Sequence, residues 1–354
     1  MDPASWEISS IGGNVATNAG GMTCIKYGVT ADYVTGMTVV LADGRTLRLG
    51  GRTRKRASGY RLLQLFVGSE GTLGVITEIT LRLIPRPLCR AVALVAFTST
   101  TDAGAAVTRL LGSGHLPSAL ELMDKGALEL VSAQLPPGLS ADLAAILIVE
   151  QDGHDRDTVN SDLYAMVDVL GGVDNRIAVD PAQTERLWAA RRSVGKVLMS
   201  IPGNNFSEDV AVPVGRIPEM LSRIERLKAQ TGVRIPVVGH AADGNLHPIV
   251  IFEEHERSKV GPIAARIFAD AVDLGGSISA EHGLGALKRD HAGVEHAAEE
   301  LELMRGIKDL LDPFGILNPH KIFPEGPADG LFLERQPGWG EQTASGRDRG
   351  ELGA

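Results

Sequence analysis

Gly239-His240-Ala241-Ala242-Asp243-Gly244-Asn245-Leu246-His247-Pro248 is the stretch from which the rest of the chain can be read. Asp243-Gly244 is a strong two-residue hairpin turn, because Gly, and often Asp, tolerates the positive φ such turns demand. Apolar, β-rich sequence flanks it, Val233 to Val238 before and Ile249-Val250-Ile251-Phe252 after. Counting outward from the turn pairs Ala242 with Asn245, Ala241 with Leu246 and His240 with His247. Directly opposed residues of an antiparallel pair share a face with Cβ atoms roughly 4.5–5.5 Å apart, so two imidazoles there can share one metal ion. On a continuous helix the same spacing would set them about 10 Å apart.

Further along, Ala280-Glu281-His282-Gly283 supplies a carboxylate and a third imidazole. Glu281 follows a helix-like stretch, Val260 to Leu274, stopped by Gly275-Gly276, and then a small strand, Ser277 to Ala280. Two histidines and one carboxylate with an open position suit Zn²⁺ or a similar divalent ion that must also hold a substrate. His282 beside them is a natural base. The plain alternative is a hairpin flanked by two histidines, with Glu281-His282 on a surface loop.

At 354 residues, 44% hydrophobic and 22% charged, the chain has the composition of an ordinary soluble protein with room for two cores. A net charge of −9 argues against a general nucleic-acid binder. Two cysteines, Cys24 and Cys89, make no disulfide framework and favour a reducing compartment. No apolar run reaches membrane-spanning length, and no basic-then-apolar leader opens the sequence.

Taken in order, a glycine loop, Ile11 to Gly21, opens the chain, and small side chains there let backbone lie against phosphates or a flat ring. Val34 to Leu41 and Thr46 to Leu49 read as a hairpin; the basic run Arg52 to Arg56 reads as a solvated loop. A second glycine cluster, Gly68 to Gly74, leads into an alternating strand, Val75 to Leu83, ended by Pro85-Arg86-Pro87. Beyond it, strands at 91–97, 119–124 and 144–150 alternate with helices at 101–112, 158–170, from Pro181 through Arg192, and 216–231. A short strand is expected at Glu208–Pro213 and a last helix at about Val294 to Leu311. His115, His154, His255 and His291 read as surface residues, and Arg192 as a helix-surface charge. Alternating elements without one long parallel series predict an α+β domain with an antiparallel sheet.

The motifs IGGNVATNAGG, VGSEGTLGVITEITLRLIP, GHAADGNLHP, AEHGLG and LLDPFGILNPHK together resemble the FAD-linked 2-hydroxy-acid oxidoreductases of the vanillyl-alcohol-oxidase type. The likeness is to the glycolate oxidase flavoprotein subunit and the D-lactate and D-2-hydroxyglutarate dehydrogenases, and covers Asp2 to Phe323. It implies the C-terminal half of a PCMH-type FAD-binding domain at 1–86, then a ferredoxin-like FAD-linked oxidase C-terminal domain at 87–325 acting as substrate and metal cap. Residues 326–354 read as a disordered tail. Family members carry a further pyrophosphate-binding segment before this point, so the resemblance implies an N-terminally truncated chain.

By the same resemblance, Gly12, Gly13, Asn14, Asn18, Gly20 and Gly21, with Gly68, Gly71, Thr72, Gly74 and Ile76, are FAD contacts, and Asn318 lies near the flavin ring. His240, His247 and Glu281 match the metal ligands (zinc is expected), His282 the general base, and Arg191 an arginine for the substrate carboxylate. Two further substrate positions of the hydroxyglutarate branch, a Thr and a Lys, are Gly195 and Ser207 here. That points to a small acid such as glycolate or lactate. The implied partners are this 2-hydroxy acid and an electron acceptor, an iron–sulfur or second flavin-domain subunit among the candidates, with no nucleic acid; a homo-oligomer is compatible. The implied location is cytoplasmic, or peripheral at the inner membrane through a partner. Two alternatives stand beside this reading: an inactive or partner-dependent fragment of such an enzyme, and a metal-dependent hydrolase built on the same triad.

Overall fold

The computed structural model describes residues 8–140, 142–201 and 204–326; the expected tail beyond position 326 lies outside the described residues. Two sheets organise them. The smaller consists of β1 (Val34–Val40), β2 (Thr46–Gly50) and β3 (Val75–Leu81), antiparallel in the order β2-β1-β3. Its core is Val15, Val34, Met37, Val39, Leu41, Phe66 and Leu73. Ile307 and Leu311 of the helix Ala298–Leu311 pack against that core, and Lys308 Nζ donates to the Thr72 carbonyl at 2.8 Å. The last helix among the described residues thus forms one wall of the first unit.

The larger sheet contains β4 (Cys89–Phe97), β5 (Ala119–Asp124), β6 (Ala145–Gly153), β7 (Asp174–Ala178), β8 (Asn204–Ser207), β9 (Val210–Ala211), β10 (Val237–His240) and β11 (Asn245–Phe252). Its order is β7-β4-β6-β5-β10-β11-β8, with β9 also pairing to β11. The first four of these strands form a βαββαβ unit of antiparallel neighbours, the ferredoxin-like arrangement, which β10, β11 and the short strands extend.

Both faces are covered, so the central strands read as apolar runs: β4 is buried from Ala91 to Phe97. One face packs under the helices Thr100–Gly112, Arg156–Leu170, Ile217–Thr231 and Arg257–Asp273, the other under the helix Pro181–Ser200. The helix Ile217–Thr231 shows the local logic. Ile217, Met220, Leu221, Ile224 and Leu227 make one buried stripe at helical spacing. Each is worth about 1.5–3 kcal/mol buried, and Gly232 ends the helix in the left-handed region at φ 68°.

Several expectations need correction. The first glycine stretch is a seven-residue helix, Ile11–Thr17, because Ser10 Oγ accepts from the Gly13 amide and Asn18 closes it at φ 52°. Ser277–Ala280 is no strand; one bridge, Ala211 to Ser277, ties it to β9. The stretch 208–213 is interrupted, since Glu208 and Asp209 turn their carboxylates inward between β8 and β9. The last helix starts at Ala298, because His296 and Ala297 are extended after a separate turn, Ala292–Glu295. His291 is buried edge-on against Phe268, with ring centroids 5.1 Å apart.

The hairpin register is also shifted. His240 pairs with Asn245 and Val238 with His247, leaving a four-residue loop at 241–244. The Ala241 amide is drawn away to the Leu120 carbonyl of β5 at 2.8 Å, and the Gly244 carbonyl accepts from the Val212 amide at 3.0 Å. The slip is two residues, an even number, so both histidines keep one face. Gly244 has φ 81°, and a Cβ there would stand 1.9 Å from the Val212 carbonyl oxygen. The Gly244→Ala variant is expected to lose about 2–4 kcal/mol, combining left-handed strain with overpacking, as measured by the midpoint of chemical unfolding. A midpoint matching the parent would mean the loop can be displaced from β9.

Candidate metal and flavin site

A row of polar residues crosses the apolar face of the large sheet. Glu121 on β5 opposes His240 on β10, which opposes Asn245 on β11, and His247 follows two residues on. Side-chain alternation puts all four on the face under the helix Pro181–Ser200. The two imidazoles stand edge to face, centroids 5.2 Å apart.

Each histidine has one nitrogen committed. His240 Nδ1 bonds Glu121 Oε1 at 2.6 Å, and His247 Nδ1 donates to the Glu208 carbonyl at 3.2 Å. The two Nε2 atoms therefore face the same space, and Glu281 enters it, with Oε1 3.4 Å from His240 Nε2 and Oε2 4.0 Å from His247 Nε2. The three ligand atoms lie within 4.8 Å of one another. Two imidazoles oriented by outer partners, with one carboxylate, fit a divalent ion that keeps an open position.

The electrostatics agree with shared charge. Burial alone would lower His240, but the Glu121 carboxylate against its Nδ1 overrides this and carries it up to about 10. Burial, and then the charge on His240, push His247 down to about 3. Burial works against the charge on Glu281, yet its bond to His240 holds it below the usual carboxylate range.

Glu281 is placed by a backbone device. Asp209, fully buried, accepts the amides of Ala280 (3.0 Å), Glu281 (2.6 Å) and His282 (2.8 Å) on one carboxylate oxygen. Its other oxygen pairs with Lys288 and lies 3.5 Å from His282 Nδ1. Burial opposes this charge too, but Lys288 keeps Asp209 below its ordinary range. Glu208 next to it is lifted by burial to about 7, with Lys288 at 3.2 Å holding it back only in part. The His282 ring lies nearly parallel to His247, centroids 5.6 Å apart, and is half exposed.

Arg191 reaches the same row from the helix Pro181–Ser200: its Nε donates to Glu121 Oε2 at 2.8 Å. Glu121 thus holds His240 on one oxygen and Arg191 on the other. Arg192 turns outward to Glu185.

The two glycine clusters meet beside this triad. The Gly68 amide donates to Val15 O at 2.9 Å and the Glu70 amide to Ala16 O at 2.7 Å. A Cβ on Gly20 would stand 2.8 Å from Glu281 Oε1, while the position of one on Gly12 has nothing within 4 Å. Gly20 is thus packed directly against the Glu281 carboxylate, with no room there for a side chain. Glu70 ties the second glycine cluster to the loop that follows Glu281 and His282, accepting the amides of Leu284 and Gly285, both at 2.9 Å, while Asn318 donates to its carbonyl. Gly21 donates to Cys24 Sγ at 3.0 Å, and Asn18 Oδ1 accepts from Ala31. Three of the expected flavin contacts also have local packing roles: a Cβ on Gly74 would meet Val39 Cγ1 at 2.3 Å, Ile76 pairs with Val39 in the small sheet, and the Thr72 hydroxyl donates to Ser69 O. Asn14 is buried in its helix.

Glu70, Glu121, Glu208, Asp209 and Lys288 escaped the sequence reading. Glu121 left one signal, a lone acid inside the apolar strand Ala119-Leu120-Glu121-Leu122-Met123.

Residues 86–322 match the family of FAD linked oxidases, C-terminal domain, and residues 1–50 match an FAD binding domain. The chain belongs to the FAD-linked oxidases, flavin-dependent oxidoreductases. Among its relatives is glycolate oxidase subunit GlcD of Bacillus subtilis, 37% identical over 341 residues, 94% of this chain and 72% of that protein. Glycolate oxidase subunit GlcD of Escherichia coli K12 is 37% identical over 329 residues, 91% of this chain and 66% of its own. The D-lactate dehydrogenase of Anaerostipes hadrus is 36% identical over 337 residues, 91% and 70% respectively. The chain thus spans between 66% and 72% of the length of these relatives. The solved 4-ethylphenol oxidase from Gulosibacter chungangensis shares the fold at a TM-score of 0.69 and 19% identity, over 92% of this chain and 72% of that one. No helix among the described residues is long and apolar enough to cross a membrane.

Proposed function

We propose that this chain oxidises a small 2-hydroxy acid, of the glycolate or D-lactate type, to the 2-oxo acid, using FAD and a divalent ion held by His240, His247 and Glu281. The observation that carries this reading is the convergence of both Nε2 atoms on Glu281 while both Nδ1 atoms are held by partners outside the cluster. When bound, the ion polarises the substrate hydroxyl and the flavin takes up the hydride. The chain's own residues do the rest. Arg191 offers the guanidinium nitrogens not used by Glu121 to the substrate carboxylate. His282, steered by Asp209, accepts the hydroxyl proton. The cofactor side would be residues 1–86 with the two glycine clusters, and the substrate side residues 87–325.

A small acid is favoured over one with a distal carboxylate, because no cation waits for a second charge at the two expected positions. Gly195 faces open space, and Ser207 is exposed. Protein reconstituted with FAD and zinc should reduce a dye acceptor with glycolate or D-lactate at least ten-fold faster than with D-2-hydroxyglutarate. Silence with every 2-hydroxy acid, despite bound flavin and metal, would remove the oxidase reading. Hydrolysis by the zinc-loaded, flavin-free protein would put the triad to another use.

A further inference from the structure

Asn245 opposes His240 in the strand pair and precedes His247 by two residues, so its carboxamide lies on the face that carries both histidines. It is 4% exposed, and neither Oδ1 nor Nδ2 has a hydrogen-bond partner among the described residues. Its neighbour on the other side is Ala211, whose methyl offers nothing polar. Glu121 and Asp209, buried in the same region, have their carboxylate oxygens engaged. A buried amide with both ends unmet costs about 1–3 kcal/mol per group and calls for a partner that arrives later.

The position restricts what that partner is. A metal cation accepts no hydrogen bond, so it leaves Nδ2 unmet even if Oδ1 approaches it. An oxygen atom bound to the ion satisfies Nδ2 in every state, because hydroxyl and carbonyl oxygens both accept. We propose that Asn245 is a substrate-binding residue whose Nδ2 donates to the α-oxygen of a 2-hydroxy acid seated at the triad. The inference rests on the reading of His240, His247 and Glu281 as metal ligands, and adds the group that distinguishes an α-oxygen from an unsubstituted carbon. It also explains an amide, rather than an acid, at this position: a carboxylate lacks the donor and would repel the substrate's own charge.

Oxalate is the probe, since it presents two vicinal oxygens and does not turn over. Zinc affinity is measured first by competition with a chromophoric chelator, then oxalate affinity of the zinc-loaded protein by calorimetry. The Asn245→Leu variant keeps the volume and removes both polar atoms; Asn245→Ser keeps a hydroxyl too short to reach and serves if the leucine variant does not fold. Both are expected to bind oxalate about ten-fold more weakly, the loss of one buried hydrogen bond, with zinc affinity within two-fold of the parent. Unchanged oxalate affinity in a folded variant overturns the inference and leaves the metal reading standing. A parallel loss of zinc also overturns it, making Asn245 a strut of the metal site. Parent protein that takes up no zinc, or no oxalate once loaded, overturns the inference and the functional reading together.

Discussion

Replacing Glu121 by Gln is expected to raise the zinc dissociation constant about 10–100-fold, the usual consequence of losing the outer partner of a metal-bound histidine. Glu121 accepts two hydrogen bonds, from His240 Nδ1 and Arg191 Nε, and is itself fully buried. Glutamine has the same shape but only one acceptor oxygen. If that oxygen stays with Arg191, the amide NH₂ faces His240 Nδ1. The imidazole must then carry its proton on Nε2, the atom that faces His247 and Glu281. If the oxygen stays with His240, the guanidinium of Arg191 meets an NH₂ group and loses its buried counter-charge. Removing one member of a buried pair typically costs about 3–5 kcal/mol, so the variant should also melt earlier. Chelator competition on folded protein decides the matter: zinc affinity within two-fold of the parent would mean that His240 keeps its tautomer without Glu121.

The second large effect is on turnover. The His282→Ala variant is expected to lose about 10²–10⁴-fold in kcat, the range for removal of a general base, while zinc affinity stays near that of the parent. The separation follows from how the loop is held. Asp209 grips residues 280–282 through three backbone amides, and alanine retains its amide. Glu281 therefore keeps its place when the neighbouring imidazole is gone. Single-turnover flavin bleaching with glycolate or D-lactate, paired with metal analysis of the same sample, reads both halves. Bleaching at the parent's rate would remove His282 from proton transfer, and loss of metal would show that the ring, not the backbone, supports the loop.

The large sheet was legible because strands buried on both sides appear as uninterrupted apolar runs, such as Val92 to Phe97, and because helix stops are written in glycine, as at Gly171 and Gly232. The hairpin was legible only in parity. Local turn chemistry favours closing at Asp243-Gly244, but Leu120 of β5 and Val212 beside β9 compete for the same backbone groups. Both are distant in sequence, and their pull moves the register by two. The triad survived that error because an even slip preserves the face. The acids behind it were not legible, since nothing local distinguishes Asp209 from a surface acid; its role appears only when residues 280–282 fold back over it. The same holds for Glu70, whose partners lie more than two hundred residues away.

The last helix among the described residues, Ala298–Leu311, returns to the small-sheet unit and lends it Ile307 and Leu311. The polypeptide is therefore stapled to its own beginning, and the exposed Pro85-Arg86 connector is not the only thing joining the halves. Cutting the backbone there would release no free piece. Dissecting the protein into separately produced parts at that point would strip one of them of a wall, so swapping the front half between relatives has to carry the closing helix with it.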